Sequence, residues 1–130
     1  MLAFDFGTRR VGVASGNTVT RSATPLLTLA LEGKARFAAI GELIGSWRPD
    51  ALVVGVPRHP DGAAHDNTRR AGRFACQLRG RFGLTVHEVD ERYSTTEART
   101  LLGRAAGPAG RDIDAASAAV ILEQFLGRLP

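Results

Sequence analysis

The chain has 130 residues, 44% of them hydrophobic and 23% charged, a balance that suits one globular domain with a core of its own. The single cysteine, Cys76, excludes an internal disulfide and a cysteine zinc cluster, and no apolar run approaches membrane-spanning length. The formal charge is +4, and Lys34 is the only lysine among 17 basic residues, so the positive charge is nearly all arginine.

Residues 2–6 and 11–14 read as two short strands joined by a tight turn at Gly7. Asp5 is out of place there. It lies between Phe4 and Phe6, where an unpaired carboxylate is costly to bury. Arg9 or Arg10, backbone donors or a metal ion would compensate it; alternatively Asp5 caps the turn through its own side chain. Asp5 and Arg9 also interrupt any apolar leader, so no signal peptide is expected, and the reading is a cytoplasmic protein.

Residues 19–29, rich in Thr, Ser and β-branched side chains, suggest a third strand that Pro25 interrupts or marks as an edge. Residues 34–47 look helical, with Phe37, Ile40, Ile44 and Trp47 on one face and Pro49 ending the run. The apolar run 51–56, bounded by Asp50 and Pro57, is the pattern of a strand buried on both faces. Residues 58–67 are polar, with turn chemistry at His59-Pro60-Asp61-Gly62.

A second helix is expected over 68–82, burying Ala71, Phe74, Ala75, Leu78 and Phe82. Its other face carries Arg69, Arg70, Arg73, Arg79 and Arg81, and Cys76, among Phe74, Ala75 and Leu78, reads as a buried, inert thiol. Residues 84–89 form a strand ending at Asp90-Glu91-Arg92. Ser94-Thr95-Thr96-Glu97 fits a capping box opening a helix to about residue 102, and the glycine-rich 103–111 is a loop. A last helix spans 112–126 with Asp112 as its N-cap. One stripe holds Ile113, Ala116 or Ser117, and Val120; another holds Asp114, Ala118, Ile121, Leu122 and Phe125. The order of elements predicts a single α/β domain over 1–130, with helices packed on a sheet.

Three carboxylates sit at the ends of apolar elements: Asp5, Glu91 with Asp90 beside it, and Asp114. Gathered together they would repel one another unless a cation neutralised them, and hard oxygen ligands suit Mg²⁺ or Mn²⁺. Such ions activate water for phosphodiester cleavage. Taken singly, Asp114 is explained by the helix dipole and Glu91 by a surface arginine. Asp5 is explained by neither, and the three together favour a metal site. His59, His65 and His87 lack metal spacing, and neither a nucleophile elbow nor a Walker loop is present. A GC-rich genome would account for the Arg-to-Lys ratio, though not for the net positive charge. That excess suits an acidic partner such as nucleic acid.

The segments Asp5-Phe6-Gly7-Thr8-Arg9-Arg10-Val11-Gly12-Val13-Ala14, Val53-Val54-Gly55-Val56-Pro57, Asp61-Gly62, Asp90-Glu91-Arg92-Tyr93-Ser94-Thr95 and Asp114-Ala115-Ala116-Ser117-Ala118 occur in the order of the YqgF/RuvX family. Its members are described as pre-16S rRNA nucleases or Holliday-junction resolvase homologues, and the resemblance spans nearly the whole chain. It implies a ribonuclease-H-like fold: a mixed five-stranded sheet, its first three strands antiparallel, flanked by helices. It also implies a Mg²⁺- or Mn²⁺-dependent nuclease site of Asp5, Glu91 and Asp114, with Asp90 the alternative to Glu91. In related resolvases the second acid comes from the strand matching 51–56, which here has none. Two departures stand out. Asp112 occupies the position of a usual lysine, a phosphate contact that Arg111 could replace. His59-Pro60-Asp61-Gly62-Ala63 replaces the usual Asn-Met-Asp-Gly-Thr.

The leading expectation is therefore an endonuclease acting on structured RNA near the 5′ end of the small-subunit rRNA precursor, with Arg9, Arg10, Arg92, Arg69, Arg73 and Arg111 meeting the nucleic acid. The bland alternative for each arginine is solvated charge. Competing expectations are a resolvase of branched DNA, which needs a two-fold dimer, and a non-catalytic RNA-binding assembly factor. Asp5-Phe6-Gly7-Thr8 also resembles the first phosphate motif of actin-like ATPases, but these need a duplicated domain. A monomer and a homodimer both fit the sequence.

Overall fold

The computed structural model describes residues 1–7, 10–56, 66–90 and 113–128. Among them run β1 (Leu2–Phe6), β2 (Val11–Asn17), β3 (Ser22–Leu29), α1 (Gly33–Trp47), β4 (Ala51–Val56), α2 (Asp66–Phe82), β5 (Thr85–Asp90) and α3 (Ile113–Gly127). The expected elements are present within these residues, with β2 three residues longer than its apolar pattern and β3 starting three residues later. The expected helix at 94–102, the loop at 103–111 and Asp112 as a cap lie outside the described residues.

The strands form one sheet in the order β3-β2-β1-β4-β5. β1 pairs antiparallel with β2 and β2 with β3, while β1–β4 and β4–β5 are parallel. β3 is thus an edge strand, as Pro25 requires, because proline has no N–H to give a second neighbour. Pro25 pairs with Ala14 beside a register shift that leaves Leu26 without a partner, so the proline marks both an edge and a bulge.

Helices α1 and α2 cover one face, where Leu2, Phe4, Val11, Val13, Leu52, Val54 and Val86 meet Ile40, Ala71, Phe74 and Leu78. The Phe74 ring is the hub, 6.0 Å from Phe4 edge-on, 5.1 Å from Phe6 and 5.9 Å from Phe37. Helix α3 covers the opposite face, laying Ile121, Leu122 and Leu126 over Ala3, Val53 and Val89. β4 is consequently buried at every position, as its unbroken apolar run requires. Every residue from 115 to 122 is buried, so α3 has no polar side between its two apolar stripes.

Two expectations fail. Cys76 is exposed, because successive helical residues point about 100° apart and its apolar sequence neighbours face inward without it. Trp47 is 51% exposed. It lies in the last turn of α1, where Arg48 adopts a left-handed conformation (φ 47°) that swings the chain towards β4 and buries Pro49 instead.

Arg36 is buried without a sequence signal to announce it. Its Nε donates to the Leu31 carbonyl at 2.8 Å, and its guanidinium lies 5.6 Å from the centre of the Phe6 ring, tying α1 to the end of β1. Burial lowers its pKa, with the Glu32 charge acting in the opposite sense. Gly45, in contrast, has nothing within 4 Å of where a Cβ would stand. Gly45→Ala should therefore stabilise the protein by about 1 kcal/mol through helix propensity alone. Calorimetry should show a Tm a few degrees higher; a lower Tm would mean that the last turns of α1 are packed against something.

Candidate active site at the end of the first strand

Register brings the site together. Asp5 pairs with Gly12 of β2 on one side and Gly55 of β4 on the other, and the same row continues to Thr28 on β3 and Val89 on β5. Register partners in a sheet share a face. Here it is the face under α3, since Ala3, two residues before Asp5, and Val89 both pack there. A half-buried carboxylate thus stands between two residues without side chains, leaving room on both sides.

The glycine on the β2 side also admits the second acid. A Cβ on Gly12 would fall 1.8 Å from the carbonyl oxygen of Asp114, so the first turn of α3 rests directly on the β2 backbone. Cross-strand partners are about 4.5–5.5 Å apart at Cα, which places the Asp114 backbone one strand spacing from Asp5. The alternation Gly12, Ala14, Gly16 lets α3 lie this close along β2. Ala14 meets Ala118 and Ala119, and a Cβ on Gly16 would strike Leu122.

Asp114 Oδ2 is buried and accepts no hydrogen bond; Arg10 Nε approaches it at 3.4 Å as an ion pair. Among the described residues the one other buried side-chain oxygen without a hydrogen bond is Thr28 Oγ1, in the row of Asp5. Buried oxygens normally find partners. Hard oxygen donors in a half-buried setting fit a hydrated divalent cation of the Mg²⁺ or Mn²⁺ type. Among the described residues no three His, Cys, Asp or Glu side chains converge on a metal-sized site.

Of the remaining expected site residues, Arg9, Glu91, Arg92 and Arg111 lie outside the described residues. Position 90 ends β5 opposite Val56. Arg69 and Arg73 are exposed on α2, across the sheet from α3, so they do not border the Asp5–Asp114 pair. Sequence reasoning missed Gly12, Gly55 and Thr28. The glycines had a legible signal, since glycine inside a strand often marks a close approach; a threonine in a Thr-rich strand had none.

Arg10 has a side chain 61% exposed, and its pair with Asp114 is accordingly worth about 1 kcal/mol or less. Urea unfolding of Arg10→Ala should show no greater loss. A larger one would mean that Asp114 depends on Arg10 as its counter-ion.

Comparison with known proteins covers nearly the whole chain. A family model described as RuvX: Holliday junction resolvase matches residues 1–128. A protein of Polaromonas sp. (strain JS666 / ATCC BAA-500) is 64% identical over 129 residues, covering 99% of this chain and 88% of its own. One of Burkholderia thailandensis is 57% identical over 131 residues, covering 100% and 89%. Both bear the name "Putative pre-16S rRNA nuclease". Among solved structures, Thermus thermophilus RuvC superposes with a TM-score of 0.56 at 14% identity, covering 98% of this chain and 97% of its own. The same protein in complex with a Holliday junction substrate gives 0.54 at 17%, covering 98% and 95%. At such identities the likeness is one of fold, and that fold is ribonuclease-H-like.

Proposed function

The chain belongs to the RuvX family, and from that premise we propose that it is a divalent-metal-dependent endonuclease that trims the 5′ end of pre-16S rRNA in the cytoplasm during ribosome biogenesis. The observation that carries the reading is the buried, unsatisfied Oδ2 of Asp114 on the first turn of α3, beside a strand carboxylate flanked by two glycines. The choice of rRNA precursor over other nucleic acid is supported by the names of relatives at 57–64% identity.

Asp5, Asp114 and Glu91 would hold Mg²⁺ or Mn²⁺. We assign Glu91 as the third acid, with Asp90 the alternative. When bound, the metal supplies a water of lowered pKa and neutralises charge building on the phosphate. The chain's own part is to hold the acids in place: β1 fixes Asp5, and the seat of α3 on Gly12 fixes Asp114. Arg10 holds a guanidinium beside Asp114, from which it can meet a substrate phosphate, and Arg9, Arg92 and Arg111 would extend that contact. Hydrolysis would join a water oxygen to phosphorus, break the bond to the leaving sugar oxygen and pass a proton from the water to that oxygen.

A second reading, resolution of branched DNA, is favoured by the family description and by the likeness to the junction-bound fold. It requires a two-fold dimer, whereas the rRNA reading is compatible with a monomer. The deciding experiment incubates the protein with a labelled rRNA precursor fragment and a four-way DNA junction in Mg²⁺, Mn²⁺ or chelator. Metal-dependent cutting of the RNA alone supports the main reading, and of the junction alone the second. Cutting of neither would sink both.

A further inference from the structure

On the face of the sheet away from Asp5, α1 and α2 leave a cleft of about 460 Å³ between them, lined by Lys34, Phe37 and Ala38 of α1 and Arg81 and Phe82 of α2. Phe37 and Phe82 are half-buried, while Lys34 and Arg81 are exposed at the rim. The Arg81 guanidinium lies over the Phe37 ring, 4.2 Å from its centre, so the cation caps that face of the ring.

The charge does not stop at the cleft. At 100° per residue, Arg70, Arg73 and Arg81, with Gln77 among them, fall within about 80° of one another around α2, all exposed. Arg81 shows that this flank is the one facing α1. Arg79, on the other flank, is engaged elsewhere: its Nη2 donates to the Val86 carbonyl at 2.8 Å and lies 3.5 Å from Glu88 Oε2. α2 therefore uses one arginine to hold β5 and presents a track of three that leads into the cleft.

We propose that this cleft and track bind a single-stranded segment of the RNA substrate, a site separate from the acidic one. The inference rests on the nuclease reading above and deepens it by giving the substrate a second point of attachment. Single strands are held by cations that follow the phosphates and by flat groups on which bases stack, tolerant of sequence. Both kinds of group meet here: Lys34, Arg70, Arg73 and Arg81 for phosphates, and the half-buried Phe82 ring for a base. The cleft's volume lies within the range of about 300–1,000 Å³ usual for small-ligand pockets. An A-form duplex is too stiff to place a base in such a cleft, whereas an unpaired tail beside the cleavage position reaches it without melting.

The test measures binding without cleavage. Fluorescence anisotropy in chelator follows a labelled single strand of about 12 nucleotides, inside the site sizes known for such proteins, on the wild type, Lys34→Glu and Lys34→Glu/Arg81→Glu. The double variant should bind at least tenfold more weakly. Its salt dependence should fall by about 1.4 in slope, the share of two phosphate contacts on a single strand. Lys34 is exposed, so Lys34→Glu keeps the question answerable should the Arg81 change disturb Phe37. Photo-crosslinking of thiouridine RNA to the wild type should label peptides containing residues 34–38 or 81–82. Unchanged affinity and slope in both variants, or crosslinks confined to other peptides, would overturn the cleft while leaving the nuclease reading intact. A wild type that cuts RNA precursor yet binds no single strand would overturn it equally. Failure of cutting alone touches only the nuclease reading, since binding is read in chelator.

Discussion

Asp5→Asn is expected to reduce metal-dependent cleavage by about a thousandfold or more, roughly 4 kcal/mol of transition-state stabilisation, with the fold unchanged. The substitution keeps the size of the side chain and removes only its charge, so the neighbours Gly12 and Gly55 and the strand register have no cause to move. On the proposed reading a hard divalent cation would lose its strand ligand, leaving Asp114 and Glu91 to hold it too weakly. Stability gives a readout separate from activity. A metal that binds only the native state raises its stability by about 2.7 kcal/mol at a hundredfold excess over Kd, so the wild type should melt at higher temperature with Mg²⁺ or Mn²⁺ than in chelator. In Asp5→Asn that difference should vanish. If the variant cuts RNA at the wild-type rate, Asp5 is a structural cap of the β1–β2 turn. If it neither cuts nor restores growth but still binds RNA and melts normally, the non-catalytic assembly-factor reading is excluded.

The largest expected effect on stability is that of Gly12→Ala, a single methyl. Its Cβ would lie 1.8 Å from the Asp114 carbonyl oxygen, 2.1 Å from the carbonyl carbon and 2.7 Å from the Ala115 nitrogen. These are backbone atoms, so no rotamer change relieves the clash and α3 itself must lift. Overpacking in a core costs about 1–3 kcal/mol, and a displaced helix backbone belongs at the upper end. For a domain of this size a loss of about 3 kcal/mol corresponds to a Tm lower by roughly 10 °C. Because α3 buries every residue from 115 to 122, lifting its first turn also moves Asp114 away from Asp5. Cleavage should then fall even at temperatures where Gly12→Ala remains folded, whereas Gly45→Ala, with open space around it, should raise the Tm. A Gly12→Ala protein with wild-type stability and activity would show that α3 does not seat on β2 as described.

Much of this was legible in the chain before any coordinates. The unbroken apolar run of β4 demands cover on both faces, and α1 and α2 on one side with α3 on the other supply it. Pro25 announces an edge because it lacks a donor, and β3 is the edge. Asp5 stands out because a carboxylate between two phenylalanines has no packing reason to be there. These inferences succeed because each depends on a local property: side-chain period, a missing N–H, the cost of burying charge.

Other features belong to the tertiary structure alone, since they depend on which distant residues become neighbours. Nothing near Gly12 in the sequence says that Asp114, about a hundred residues on, will rest against it; that follows from strand register and the angle at which α3 crosses the sheet. Thr28 joins the row of Asp5 only because the β2–β3 register pairs it with Gly12, on the Val13 side of the bulge. Cys76 is exposed because helical rotation, not sequence adjacency, selects the buried side, and the cleft of Lys34, Phe37, Arg81 and Phe82 exists only where two helices meet. The sequence by itself determined the elements, the order of the layers and the odd carboxylate. Only the tertiary structure decided that the first turn of α3 seats on Gly12, the register partner of Asp5, because a contact between backbones leaves no trace in side-chain pattern beyond the absence of a side chain.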